Sequence, residues 1–169
     1  MGKARVCGSN AKIYVYDEKQ GEILIGEVDK FSAKDASDLK KYRSLGTAKI
    51  GSQAIFGGWE ISCDGGKVDW KLAQLIHAQD ERIANSDCSA QFFVIQTVDY
   101  FDGIQDAYRY DEVTFHGYEL DSPIEEMTEK FNGFSGVNRV QLTAADESYK
   151  EAIKTKYSSL VDYLINKKA

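Results

Sequence analysis

Two histidines, three cysteines and a band of carboxylates are the residues of this 169-residue chain best equipped to do chemistry. His77 and His116 each lack a second histidine or cysteine at ligand spacing, so both read as ordinary surface or core side chains rather than zinc ligands. Cys7, Cys63 and Cys88 form an odd set with no metal-type spacing. They read either as three reduced thiols or as the source of a disulfide between subunits of an extracellular assembly, with Cys7 in the N-terminal arm best placed for it. No serine sits in Gly-x-Ser-x-Gly; Ser135, in Gly133-Phe134-Ser135-Gly136, has the wrong spacing for a nucleophile elbow. Gly57-Gly58 and Gly65-Gly66 are followed by no Gly-Lys-Ser/Thr, so they are turn and bulge glycines, not a phosphate cradle. Glu119, Asp121, Glu125, Glu126 and Glu129 offer the hard oxygen ligands that suit calcium but lack the turn pattern of a calcium loop, and read better as a wet strand. With no nucleophile, base or metal set, the chain is expected to be no enzyme and to need no cofactor and no metal.

Length favours one domain with a proper core. Eighteen Tyr and Phe with fourteen Gly lean toward strands and turns, and a single proline, Pro123, leaves strands free to pair along their length. The net charge of −6 disfavours a grip on nucleic acid, which needs clustered cations, yet lets a polyanion slide past. No run of about 18 apolar residues exists, so no membrane helix is expected. The first ten residues lack the apolar stretch of a signal peptide, and Val6 excludes a myristoylation signal.

Apolar alternation predicts strands over 12–17 and 22–31 joined as a hairpin, then an extended, basic segment over 39–45 carrying Leu39, Lys40, Lys41, Tyr42 and Arg43. That segment is either a solvated loop or a contact for acid patches on a neighbouring molecule. A strand over 53–63 is broken by Gly57-Gly58. A helix over 69–85 follows, with Asp69 as N-cap and Leu72, Leu75, Ile76, Gln79 and Ile83 on one stripe. Strands are expected over 89–100, buried on both faces, over 108–120, and over 123–137, where acid falls on both faces. Residues 144–165 read as one further amphipathic helix, capped by Thr143, packed either on its own domain or on a neighbour.

Several of these segments carry a likeness. Gly26-Glu27-Val28-Asp29-Lys30-Phe31-Ser32-Ala33, Leu45-Gly46, Phe56-Gly57-Gly58-Trp59, Gly65-Gly66-Lys67-Val68-Asp69-Trp70 and Tyr110-Asp111-Glu112-Val113-Thr114-Phe115 look like the pattern of tail tube proteins of contractile-tailed (myovirus-type) bacteriophages, over roughly residues 10–138. The resemblance implies a mainly β chain with flanking α, an antiparallel β-sandwich or barrel with one packed helix plus a C-terminal helix. It divides the chain into a tail-tube-like domain over 1–142, with its helix at about 69–85, and a helical extension over 143–169.

The same resemblance implies a structural virion protein whose hexameric rings stack into a tube, with the tail sheath protein outside and the tape measure protein and passing DNA in the lumen. Assembly would occur in the host cytoplasm, with no membrane partner. It places residues 32–52 at ring-to-ring contacts, and Glu125, Glu126 and Glu129 on a lumen-lining or inter-subunit strand. The alternative is a monomeric β-barrel module binding a small ligand or glycan, with Trp59 and Tyr108 as a sugar platform.

Overall fold

The computed structural model describes residues 11–17, 23–26, 30–67, 70–87, 92–99, 105–125, 127–143 and 147–167. Its elements run β1 (Ala11–Asp17), β2 (Ile23–Gly26), β3 (Lys30–Asp35), β4 (Asp38–Arg43), β5 (Ile50–Ile55), β6 (Trp59–Lys67), α1 (Trp70–Ala84), β7 (Phe92–Asp99), β8 (Gln105–Asp121), β9 (Thr128–Ser135), β10 (Val140–Thr143), α2 (Glu147–Thr155) and α3 (Leu160–Asn166). The chain is mainly antiparallel β, as its alternation predicts.

Seven strands form one sheet in the order β2-β1-β7-β8-β9-β6-β3, β10 adds to β8 as the eighth, and β4 with β5 makes a separate two-stranded sheet. The outermost strands, β2 and β3, are separated in sequence by only three residues. Gly26 and Lys30 therefore lie within about 14 Å of each other, the reach of four peptide links. A seven-strand path whose two ends are that close must curl strongly, and the right-handed twist of strands supplies the curl. The sheet does not close into a barrel: β2 and β3 are not paired.

The single strand expected over 22–31 is thus two, β2 serving one edge and β3 the other. The strand expected over 53–63 is also two, β5 and β6, because the glycine pair separates them. The strand expected over 123–137 begins only at Thr128, after a bend at Ile124 and Glu125.

The concave side holds the main core. Ile13, Val15, Ile61, Phe92, Val94, Tyr110, Val113, Phe115 and Phe131 from five strands close on Leu72, Leu75 and Ile76 of α1. The stripe read from sequence positions α1, except that its last member, Ile83, is exposed. Ser86 at φ 67 ends the helix, with the Asp87 amide donating to the Arg82 carbonyl, the pattern of a left-handed C-cap with serine in the glycine position. Asp69, expected as the N-cap, lies outside the described residues.

A second, smaller core sits on the opposite side of the sheet, where Ile95, Ala107 and Leu142 meet Leu160 and Leu164 of α3. β7 is therefore buried on both faces, as its apolar run predicts. The helix expected over 144–165 is broken into α2 and α3 at Tyr157-Ser158-Ser159. Serine competes for backbone hydrogen bonds and favours caps, and Ser159 accepts from the Asp162 amide at 3.2 Å to start α3. Arg109, buried on this side, donates to the carbonyls of Leu164 and Lys167, and grips Asp111 through both oxygens at 2.6 and 2.9 Å.

β8 is the spine that joins the two halves. Its first half pairs with β7 and β10, its second with β9. The register with β7 slips around Glu112, which stands at φ 51, and such a bulge bends a strand. Past that bend β7 ends, and Gln79 of α1 takes its place: its amide donates to the Phe115 carbonyl at 2.8 Å and accepts from the Phe115 amide at 3.0 Å.

Candidate assembly surfaces

The basic segment is the first strand of a projecting hairpin. β4 pairs with β5 from Asp38↔Ile55 to Arg43↔Ile50, and every residue of β4 is exposed. Leu39, Tyr42, Leu45 and Ile50 are large apolar side chains left in water, Leu45 fully so. The hairpin leaves the body through a neck. There the Ala36 amide donates to the Gly58 carbonyl at 2.9 Å. A Cβ on Gly57 would fall 2.1 Å from the Ala36 carbonyl oxygen, and one on Gly58, at φ 92, would fall 2.5 Å from the Phe134 ring and 2.7 Å from the Ser135 carbonyl oxygen. The glycine break in the sequence is this close backbone approach.

Four strands, β3-β6-β9-β8, turn a polar face away from the core. Ser32, Ser62, Asn132 and His116 lie across it in one row, and Lys34, Glu60, Phe134 and Thr114 in the next. A shallow groove of about 590 Å³ runs over it, lined by all of these except Thr114. Its lysines stand opposite acids: Lys30 against Asp64, Lys34 against Glu60, and Lys130 3.2 Å from Glu119. The Lys130 ammonium is held above its ordinary range, first by that contact with Glu119, with Asp64 and Asp121 adding to it.

Glu129 is not on this face. It alternates with Lys130 toward the core, is buried, and accepts a hydrogen bond from the Tyr118 hydroxyl at 2.9 Å. Burial and the Glu129 carboxylate push that hydroxyl up to about 12. Glu129 does not line the polar face as a lumen-facing acid would, because alternation along β9 puts it on the same side as the core residue Phe131. Glu125 is exposed in the β8–β9 turn, and Glu126 lies outside the described residues.

Cys63 is a core residue whose thiol burial pushes up to about 12, so it presents nothing to another subunit. Cys7 and Cys88 lie outside the described residues. Trp59 and Tyr108 offer no open sugar platform, since the Arg139 guanidinium stacks 4.3 Å from one ring and 4.4 Å from the other. His77 is exposed on α1, 3.4 Å from Glu81, and His116 lies on the polar face. Among the described residues no three His, Cys, Asp or Glu side chains gather as metal ligands.

Solved structures give a fold-level match to this arrangement. A chain of the anti-feeding prophage baseplate superposes with a TM-score of 0.62 at 7% identity, covering 84% of this chain and 97% of that one. The fold is shared almost end to end. A chain of the sheath-tube complex of an extracellular contractile injection system, in its extended state, gives 0.60 at 9% identity over 83% of this chain and 93% of its own. A chain of the anti-feeding prophage tube-terminating cap gives 0.61 at 12% identity over 85% and 95%. No protein-family model matches the sequence, and no curated protein matches it.

The sequence reading missed two features of these surfaces. It placed the basic segment without its partner strand: only the second half of β5 falls within the strand expected over 53–63, and Gly51-Ser52-Gln53 has no apolar alternation. It also left β10 unassigned, although Val140 and Leu142 carry the alternation of a strand.

Proposed function

We propose that this chain is the subunit of a tail tube in a contractile-tail-type particle, assembling as stacked hexameric rings. The carrying observation is the four-stranded unit β3-β6-β9-β8, whose polar face is exposed: β3 ends the sheet on one side, and on the other the half of β8 beyond Phe115 runs past the end of β7 with no outer strand among the described residues. Four antiparallel strands are an even number, so the β3 edge of one copy meets the β8 edge of the next with strand direction still alternating. Repeating that join closes a ring and removes edges that otherwise invite aggregation. Support comes from the shared fold with chains of contractile injection systems and a phage-like baseplate.

In this reading the polar face lines the lumen. Lys30, Lys34 and Lys130 each stand opposite a carboxylate, which weakens their hold on passing DNA, and the tape measure protein occupies the same channel before ejection. The face outside the ring is open to a sheath protein, and the particle is the protein's place of action.

Negative-stain electron microscopy of the purified chain over a range of concentrations tests this. Rings or tubes with a central hole are the expected result. Monodisperse monomers at every concentration, with and without a tube-initiating baseplate added, would sink the reading.

A further inference from the structure

The register of the four strands sets two unlike surfaces at opposite ends of one unit. Asp35, Trp59, Ser135 and Val113 are aligned at one end, and Lys67, Thr128 and Asp121 at the other. The β4–β5 hairpin leaves from the first end, between Asp35 and Trp59. The β8–β9 turn leaves from the second, between Asp121 and Thr128. The two roots are about 23 Å apart, the length of β9 at 3.3 Å per residue.

Their chemistry is complementary. Between positions 38 and 55 the hairpin carries Lys40, Lys41, Arg43 and Lys49 against the single acid Asp38. Strand alternation and the β4–β5 register gather Leu39, Lys41, Arg43 and Ile50 on one of its faces, two apolar side chains beside two cations. Between positions 120 and 125 the chain carries Asp121 and Glu125 with no cation of its own, next to the Glu119–Lys130 pair. Beside them Leu120, Ile124 and Met127 are exposed, Ile124 fully. Each surface is thus an apolar patch with fixed charge around it, basic at one end and acidic at the other.

We propose that the Leu39, Lys41, Arg43, Ile50 face of the hairpin docks on the Leu120–Glu125 turn of a second copy of this chain. The inference rests on the ring-and-tube reading above and names the surface that receives the hairpin. Because the two patches differ and sit at opposite ends, the contact is heterologous, and a heterologous contact along one axis propagates instead of closing. Charge complementarity fixes direction: hairpin against hairpin, or turn against turn, sets like charges together.

Charge exchange tests it. The variants K41E/R43E and D121K/E125K alter exposed positions, so circular dichroism should match the parent. Assembly is read by sedimentation velocity and electron microscopy at low salt. Each two-site variant should form rings that fail to stack, with the concentration for tube formation raised about tenfold or more. The chain carrying all four substitutions should stack again. Normal stacking by either two-site variant, or no recovery by the four-site chain while the parent forms tubes, would overturn this contact and leave the tube reading standing. A parent chain that forms neither rings nor tubes would instead remove the tube reading, and this inference with it.

Discussion

The curled sheet and the β4–β5 hairpin are built by opposite rules. In the sheet, β7 is covered on both faces, and even the arginine on its neighbour β8 is buried with each guanidinium contact made inside the chain. In the hairpin, large apolar side chains stand in water on two strands that have no third. An isolated two-stranded hairpin is marginal in water. The body therefore explains its own folding, whereas nothing among the described residues covers the apolar side chains of the hairpin, as the proposed stacking contact requires.

That contrast breaks most visibly under truncation. Phe92→Ala removes a ring buried among Phe115, Val94 and α1, and should cost the body about 3–5 kcal/mol in urea unfolding. Leu39→Ala, an equally apolar truncation on the hairpin, should stay within about 0.5 kcal/mol of the parent. A loss of more than 1 kcal/mol at Leu39 would mean that the hairpin packs on its own body.

Next comes the clamp on the C-terminal segment. Arg109→Met leaves the Leu164 and Lys167 carbonyls and the Asp111 carboxylate without their shared partner. The expected cost is about 2–4 kcal/mol, because the charge that remains is partly buried. Limited proteolysis should cut first near α3, while the sheet stays intact. A cut in the hairpin at unchanged rate would confirm that the two regions answer to separate constraints.

Gly58→Ala tests the join between them. The residue stands at φ 92 with backbone and ring atoms where a Cβ would go, so about 1–3 kcal/mol should be lost. The loss should appear in thermal unfolding, with tube formation also impaired because the hairpin root is re-aimed.

Alkaline pH separates the regions without mutation. The Cys63 thiol is neutral in the folded core, with its pKa raised from 9.0 to about 12 by burial. A raised pKa of an acid favours the folded state fully below the unfolded value, and that contribution is lost as pH climbs from 9 toward 12. Between about pH 10 and 11, where the unfolded thiol is ionised and the folded one is not, the slope should approach about 1.4 kcal/mol per unit, and Cys63→Ala should flatten it. An unchanged slope in that variant would assign the effect to another group.

The legibility of the sequence follows the same divide. Strands with one buried face announce themselves: Ile13 and Val15 in β1, Val113 and Phe115 in β8, the Leu72-to-Gln79 stripe of α1. What was hidden depends on long-range geometry. Gly26 marks no obvious end, yet residues on either side of 27–29 serve opposite edges of the sheet. Glu129 reads as a solvent-facing acid in a weakly alternating stretch, yet it shares its face with the core residue Phe131 and meets Tyr118. The basic segment is legible as basic, but its partner strand, Gly51-Ser52-Gln53, has no apolar alternation at all. An exposed hairpin leaves no periodic trace, because no buried face in its own chain selects it.

The smallest effect on folding should accompany the largest effect on assembly. Replacing Leu39 and Ile50 together by Thr puts β-branched, strand-compatible residues on the hairpin. Both positions are more than half exposed, at 61% and 62%, so the folded chain loses little contact and urea unfolding should shift by less than about 0.5 kcal/mol. If the hairpin face buries these side chains against the β8–β9 turn of a second copy, two aliphatic contacts disappear from every stacking junction. A tube repeats that junction throughout its length, so a modest loss per contact shortens the whole distribution. Tubes should become short and disperse on dilution while rings persist, and sedimentation velocity should show the ring species gaining at their expense. Tubes of parental length from this variant would show that the apolar side chains of the hairpin are exposed for some other occupant, and that charge alone orders the stack.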